Sequence, residues 1–229
     1  MSWIDGPLVG FDTETTGVHT SQDRIITAAV VARSGGSTAE QTWMIDPGIP
    51  IPERSTQVHG ITDLMVQLDG VQPEEALPEI SSAVVEALST GVPVVAFNAG
   101  FDLAILDAEL ARHHMPMLTQ QLDGEVAPII DPLTLDRALV KFRRGKRTLT
   151  DLCTAYRVDT GSMHTAEVDV AATLDLLAAI ARKYPQLTEM SPLELHSWQR
   201  TKHREWAEEF NRWRASRGYS GPGADPSWP

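Results

Sequence analysis

The sequence has 229 residues, 42% of them hydrophobic, a single cysteine and a formal net charge of −12. That length holds one sizeable domain with a tail or two small domains, and one cysteine excludes an internal disulfide framework and suits a reducing compartment. No apolar run approaches a membrane span, and the N-terminus MSWIDGPLVG lacks the basic and apolar segments of a signal peptide, so a cytoplasmic protein with no membrane association is expected.

The acidity also bears on partners. A protein that grips duplex nucleic acid through its overall field is usually basic. This chain needs local basic patches, bound cations or a partner to do so. Acidic composition does not exclude chemistry in which carboxylates hold a metal.

In chain order, the first predicted element is a short buried strand, Leu8 to Phe11, that runs into FDTETTG at 11–17. Strand side chains alternate, so Asp12 and Glu14 share a face with Thr13 opposite. Two like charges on one face raise the pKa of at least one unless a cation lies between them. By itself this is a solvated strand end; joined by acids from elsewhere it is half of a metal site. Strand patterns follow at 24–32 and 38–46, divided by Gly35 and Gly36 as in a hairpin. IPERSTQVHGIT at 51–62 holds a short helix or loop, and 73–91 carries helical spacing that ends at Gly91.

VPVVAFN at 92–98 reads as a buried strand and FDLAILDAELARHH at 101–114 as an amphipathic helix. PIID at 128–131 is a further short strand, and helical patterns occupy 133–141, 148–157 and 165–184. Antiparallel strands followed by alternating strands and helices predict one α/β domain with a mixed sheet over 1–184. Cys153 falls in an apolar helical pattern, as a core filler does.

Asp102 follows the strand at 92–98, and ligands of open α/β sheets bind at such C-terminal strand ends. Asp169, within HTAEVDVAATLDLLAAI, is turned by the apolar pattern toward the core side of the last domain helix. Either acid taken singly is also readable as an N-cap or a satisfied polar group. Four acids in such settings are harder to explain that way, and hard oxygen ligands select Mg²⁺ or Mn²⁺ over Zn²⁺. His164 stands five residues before Asp169, about 140° around an ideal helix, which places it in the loop or first turn. An imidazole there is suited to act as general base, its unperturbed pKa being about 6.5.

FDTETTG, NAGFD at 98–102 and HTAEVD at 164–169, in that order, resemble the three motifs of the DEDDh 3′–5′ exonucleases. The nearest flavour is the proofreading epsilon subunit of bacterial DNA polymerase III. The similarity covers roughly 7–184 and includes VHGIT at 58–62, IIDPLTLDRAL at 129–139 and GKRTLTDLC at 145–153. It implies an RNase H-like mixed sheet flanked by helices, and two divalent metal ions, Mg²⁺ or Mn²⁺. By the family pattern Asp12, Glu14, Asp102 and Asp169 bind the metals and His164 takes the proton from the attacking water. It also implies that Thr15 and Gly17 lie close to the terminal nucleotide. His59 matches a substrate-contacting position, and equally reads as a histidine bridging loop carbonyls. Asp131 fits an additional acid near the site, and Asn98 a hydrogen bond to backbone at the strand end.

Five cations crowd KFRRGKR at 141–147. Arg143, Arg144 and Lys146 are the candidates for contacting strand phosphates, against the default of a solvated loop. The expected substrate is the 3′ end of single-stranded DNA; RNA trimming by the same mechanism, or a silent scaffold that only binds a partner, are the competing readings.

Beyond Pro185 the character changes. Leu195, Trp198, Lys202, Trp206, Phe210 and Trp213 recur at three- and four-residue steps, predicting a Trp-rich helical extension over 185–217. The Gly/Pro-rich end at 218–229 is expected to be disordered. The extension is expected to pack back on the domain, to dock a polymerase or other protein partner, or to stack on nucleic acid.

Overall fold

The computed structural model describes residues 2–159 and 165–229. Among these residues the strands form a five-stranded mixed sheet. Its members are β1 (Leu8–Thr15), β2 (Ile25–Ser34), β3 (Ser37–Met44), β4 (Val94–Val95) and β5 (Ile129–Ile130), in the order β3-β2-β1-β4-β5. β1 pairs antiparallel with β2, and β2 with β3, through the expected hairpin. β1, β4 and β5 are parallel, with Val9, Val94 and Ile129 in register. Their C-terminal ends therefore share one edge of the sheet, and the acids of FDTETTG and NAGFD lie there. The runs at 92–98 and 128–131 contribute only two paired residues each, because the chain turns into a helix directly after them.

Alternation along β2 sends its side chains to two cores. Ala28 and Val30 face one together with Phe11, Leu77 and Ile80; Ala29 and Val31 face the other together with Leu8, Val170 and Leu174. The first core is covered by α3 (Pro73–Ser89) and α4 (Ala99–Arg112), the second by α6 (Pro132–Leu139), α7 (Leu149–Tyr156) and α8 (Ala166–Lys183). Cys153 is buried in the second. Three short helices complete the domain: α1 (Glu53–His59), α2 (Asp63–Asp69) and α5 (Leu118–Gln121). The sequence pattern did not single out α2, whose signal is local: the Thr62 side chain accepts from the Met65 N–H as an N-cap.

Gly10 decides how close α8 comes. A Cβ at this position would run into Val170 Cγ1 and stand 3.2 Å from Leu174 Cγ, so glycine lets α8 lie directly on the central strand.

The extension forms α9 (Pro192–Ser216), opened by a capping box between Ser191 and Glu194. It packs back on the domain through Leu195, His196, Gln199 and Ala207, all buried. The Gln199 side chain accepts from the Asp131 N–H at 2.8 Å and donates to the Ile129 carbonyl at 3.0 Å, finishing the free edge of β5. The end at 218–229, expected from its composition to be disordered, instead lies back along α9. Asn211 exchanges two hydrogen bonds with Ala224, and Trp228, 9% exposed, joins the first core beside His196. One large indole supplies the apolar burial that the Gly/Pro composition hides. Among the described residues no helix is long and apolar enough to cross a membrane.

Candidate active site

β1 carries Asp12 and Glu14 on the face toward α8, where Gly10 has brought the helix close, and Asp169 stands in the first turn of α8 beside Val170. Thr13 points to the opposite face. There its hydroxyl donates to Asp102 Oδ1 at 2.7 Å and its backbone N–H to the same oxygen at 3.1 Å. Asp102, buried in the first turn of α4, is thus fixed to the strand that bears the other two acids.

The turn that starts α4 is itself held. Asn98 adopts a left-handed conformation, φ 65°, and its N–H donates to Asp131 Oδ1 at 3.1 Å. Asp131 is buried, caps α6 through the Leu133 N–H at 2.8 Å, and accepts from the Thr134 hydroxyl at 2.8 Å. Every oxygen of Asp131 is committed to backbone or hydroxyl donors, so it holds the strand ends together. Asn98 takes part through its backbone.

The acids act on one another. Burial lifts Asp12 well above the ordinary carboxylate range, and the charges of Asp102, Glu14 and Asp169 push it further. Burial, with Asp169 adding to it, raises Glu14 to about 7. Burial also raises Asp102 to about 7, against the two Thr13 hydrogen bonds that favour its ionised form. Among the described residues no Lys or Arg reaches salt-bridge distance of Asp12, Glu14 or Asp102. Nor, among the described residues, do three His, Cys, Asp or Glu side chains converge closely enough to hold an ion as they stand. The repulsion that raises the pKa values also works against convergence of bare carboxylates. Among the described residues, Asp12, Glu14 and Asp102 are hard oxygen donors with no Lys or Arg beside them, a chemistry that fits a divalent cation.

His164 lies outside the described residues. The other predicted positions are placed as follows. Thr15 uses its hydroxyl within the loop, donating to the Gly17 carbonyl at 2.7 Å. Gly17 lies against Asp23, whose carboxylate oxygens would stand 2.6–2.7 Å from any Cβ there. Asp23 in turn accepts from the Thr16 hydroxyl and the His19 N–H. His59 is buried at the end of α1; Nδ1 accepts from the Ile61 N–H at 3.1 Å. Desolvation holds the His59 pKa below its ordinary value, against the opposing pull of the Thr15 backbone, and Nε2 stays outside hydrogen-bond geometry.

Thr15, Gly17 and His59 line one cleft of about 470 Å³ with Thr13 and Glu14. Its other walls are Val18, Arg54, Ser55, Val58 and Phe101. The Ser55 hydroxyl donates to the Thr16 carbonyl at 2.7 Å, which ties α1 to the loop after β1 and puts these side chains in place. The sequence reading missed Arg54, Val18, Val58 and Phe101. Phe101 carried a signal in its place directly before Asp102, and Val58 in opening VHGIT.

The basic run divides. Arg143 and Arg147 both bind the buried Asp136 carboxylate at 2.9 Å through Nε, and the Tyr156 hydroxyl donates to it at 2.8 Å. Arg143 is therefore engaged in holding the loop. Arg144 and Lys146 are exposed.

An exonuclease family model, RNase_T, matches residues 9–177. The PolC-type DNA polymerase III of Lacticaseibacillus paracasei is 32% identical over 186 residues, which make up 81% of this chain and 12% of that protein. The PolC-type enzyme of Streptococcus mutans is 32% identical over 180 residues, 77% of this chain and 11% of that protein. The chain thus spans only a small part of the length of the curated relatives it matches. Among solved structures, exonuclease I superposes with a TM-score of 0.67 at 20% identity, over 80% of this chain and 42% of that one. Exonuclease I of E. coli in complex with a dT13 oligonucleotide gives 0.65 at 19%, over 80% and 43%. At that identity the likeness is one of fold, an RNase H-like mixed sheet flanked by helices.

Proposed function

This chain belongs to the exonuclease family as a DEDD exonuclease of RNase H-like fold, and on that premise we propose that it hydrolyses the terminal phosphodiester at the 3′ end of single-stranded DNA. The observation that carries the reading is the gathering of Asp12, Glu14, Asp102 and Asp169 at one sheet edge, where burial raises Asp12, Glu14 and Asp102, the charges of the other three acids push Asp12 further and that of Asp169 adds to Glu14, with no Lys or Arg beside Asp12, Glu14 or Asp102 among the described residues. These four carboxylates would hold two divalent ions, Mg²⁺ or Mn²⁺. Bound there, the ions would supply electrostatic stabilisation of the charge on the attacking and leaving oxygens.

The chain's own groups do the rest. Thr13 fixes Asp102, and Asp131 fixes the turn from which α4 carries it. The cleft beside Glu14 takes the terminal nucleotide, with Val18, Val58 and Phe101 offering apolar contact to a base and Arg54 a cation for phosphate. His59 and Thr15 line it as well. His164 accepts the proton of the attacking water. Water adds to phosphorus, the bond to the 3′ oxygen of the penultimate nucleotide breaks, that oxygen takes a proton from solvent to become the new 3′ hydroxyl, and a 5′-mononucleotide leaves.

The PolC-type DNA polymerase relatives and the oligonucleotide complex of exonuclease I support a DNA substrate, and a place in proofreading or repair is part of the same proposal. Digestion of matched 5′-labelled single-stranded DNA and RNA, with Mg²⁺, with Mn²⁺ and with EDTA, tests this. A shortening ladder on DNA that EDTA abolishes is expected. A ladder mainly on RNA would move the substrate to RNA ends, and a ladder that persists in EDTA would overturn the metal reading.

A further inference from the structure

The outer part of α9 carries the C-terminal segment, with Asn211 bonded to Ala224. The buried residues of α9 end at Ala207, yet the helix runs on to Ser216, and along it a row of rings continues without a break. His203, Trp206, Phe210, Trp213 and Tyr219 follow one another with centroids 5.5, 5.6, 5.8 and 5.7 Å apart. The row becomes more open as it goes: Trp213 is 49% and Tyr219 58% exposed.

Both ends of the row have a relation to charge and to the cleft. At its inner end, Trp206 and His203 line a hollow of about 590 Å³ that also reaches Phe101, the ring that walls the cleft beside Glu14. α9 runs alongside α6 from there, marked by Gln199 on Asp131, Trp206 under Arg137 at 4.0 Å, and Glu209 on Lys141 at 2.8 Å. A smaller hollow between the two helices gathers Arg137, Lys141, Arg147 and Lys202 around Trp206, with Glu205 and Glu209 each already paired to a lysine. Further out, Arg214 lies over the rings of Phe210 and Tyr219. On a chain of net charge −12, cations lie along these stacked rings, with Lys141, Arg147 and Lys202 each also meeting a carboxylate, and Phe101 is a wall of both the inner hollow and the cleft.

We propose that the aromatic row of α9 is a second nucleic-acid site, a track that holds the single strand several nucleotides upstream of the end being removed. Bases stack on exposed rings regardless of sequence while cations follow the backbone. The proposal rests on the function proposed above for the substrate's identity, and the test separates the two.

The test is fluorescence anisotropy of labelled thymidine oligomers with the wild-type protein in EDTA, which needs no turnover. For the exposed pair Trp213→Ala/Tyr219→Ala, an oligomer of about a dozen nucleotides should bind roughly tenfold more weakly, and a trimer unchanged. For Lys202→Gln, the slope of log affinity against log salt should fall by about 0.7 on the long oligomer, a shift that a helix with only a structural role would not show. Equal affinity of wild type and both variants for the long oligomer would overturn the track and leave the row to a protein partner. Equal weakening on long and short oligomers would overturn it too, making α9 a support for the cleft. A wild type that binds the long oligomer in this length-dependent way but removes no nucleotide would sink the proposed reaction and leave the track standing.

Discussion

Thr13 and Asp102, from the strand and the helix that meet at the sheet edge, are joined twice: the hydroxyl at 2.7 Å and the N–H at 3.1 Å reach the same carboxylate oxygen. Thr13 lies between Asp12 and Glu14 in sequence but faces away from both. It links the acid behind the strand to the two in front. Thr13→Val keeps the shape and removes the hydroxyl. Activity should fall about 10–100-fold, as for other groups that orient metal-binding side chains, and stability by about 1–3 kcal/mol. Steady-state rates and urea unfolding check this; full activity would show that Asp102 needs no such tether.

Glu14 gives the pH dependence its sign. In the fold it keeps its proton up to about 7, whereas unfolded it loses it near the ordinary value of about 4.3. Between those limits the folded state binds more protons, so this group's contribution to stability declines as pH rises. Metal-free wild type should therefore lose stability relative to Glu14→Gln between about pH 4 and about pH 7. A gap that stays constant in urea titrations would contradict the burial and the repulsion assigned to it.

Gly10 is expected to accept no side chain. Gly10→Ala drives a methyl into Val170 and against Leu174, so α8 must move off β1 and take Asp169 with it. Overpacking of this kind costs about 1–3 kcal/mol. Thermal unfolding and turnover should fall together; an alanine variant with wild-type melting and activity would show that α8 has room to spare.

Asp136 is the post around which the basic loop is built. Asp136→Ala leaves Arg143 and Arg147 without their shared carboxylate and should cost about 3 kcal/mol, read by denaturant unfolding. Turnover at low temperature should survive, because the network does not include the acids at the sheet edge.

How much of this was legible beforehand depends on range in the chain. The placing of Asp12 and Glu14 on one face follows from the two-residue period of a strand, and Asp102 from its position just past an apolar run. The α9 stripe was readable from its three- and four-residue helical steps. Arg143 was not: nothing local says that Asp136, seven residues earlier, is buried and claims it. The course of 218–229 was hidden as well, since its order rests on Trp228 reaching a core built from the other end of the chain. The rim of the cleft, Arg54, Val18 and Val58, comes together only through the Ser55 contact with Thr16.

The most direct measurement is a single-turnover time course of 5′-labelled single-stranded DNA with Mg²⁺, wild type beside Asp12→Asn. The carboxylates are taken to share divalent ions, so wild type should produce a ladder shortening from the 3′ end. Asp12→Asn should leave the strand intact while melting no lower than wild type in EDTA, having lost a repelled buried charge. A variant that shortens the strand at the wild-type rate would contradict the placement of the chemistry at Asp12 and its neighbours.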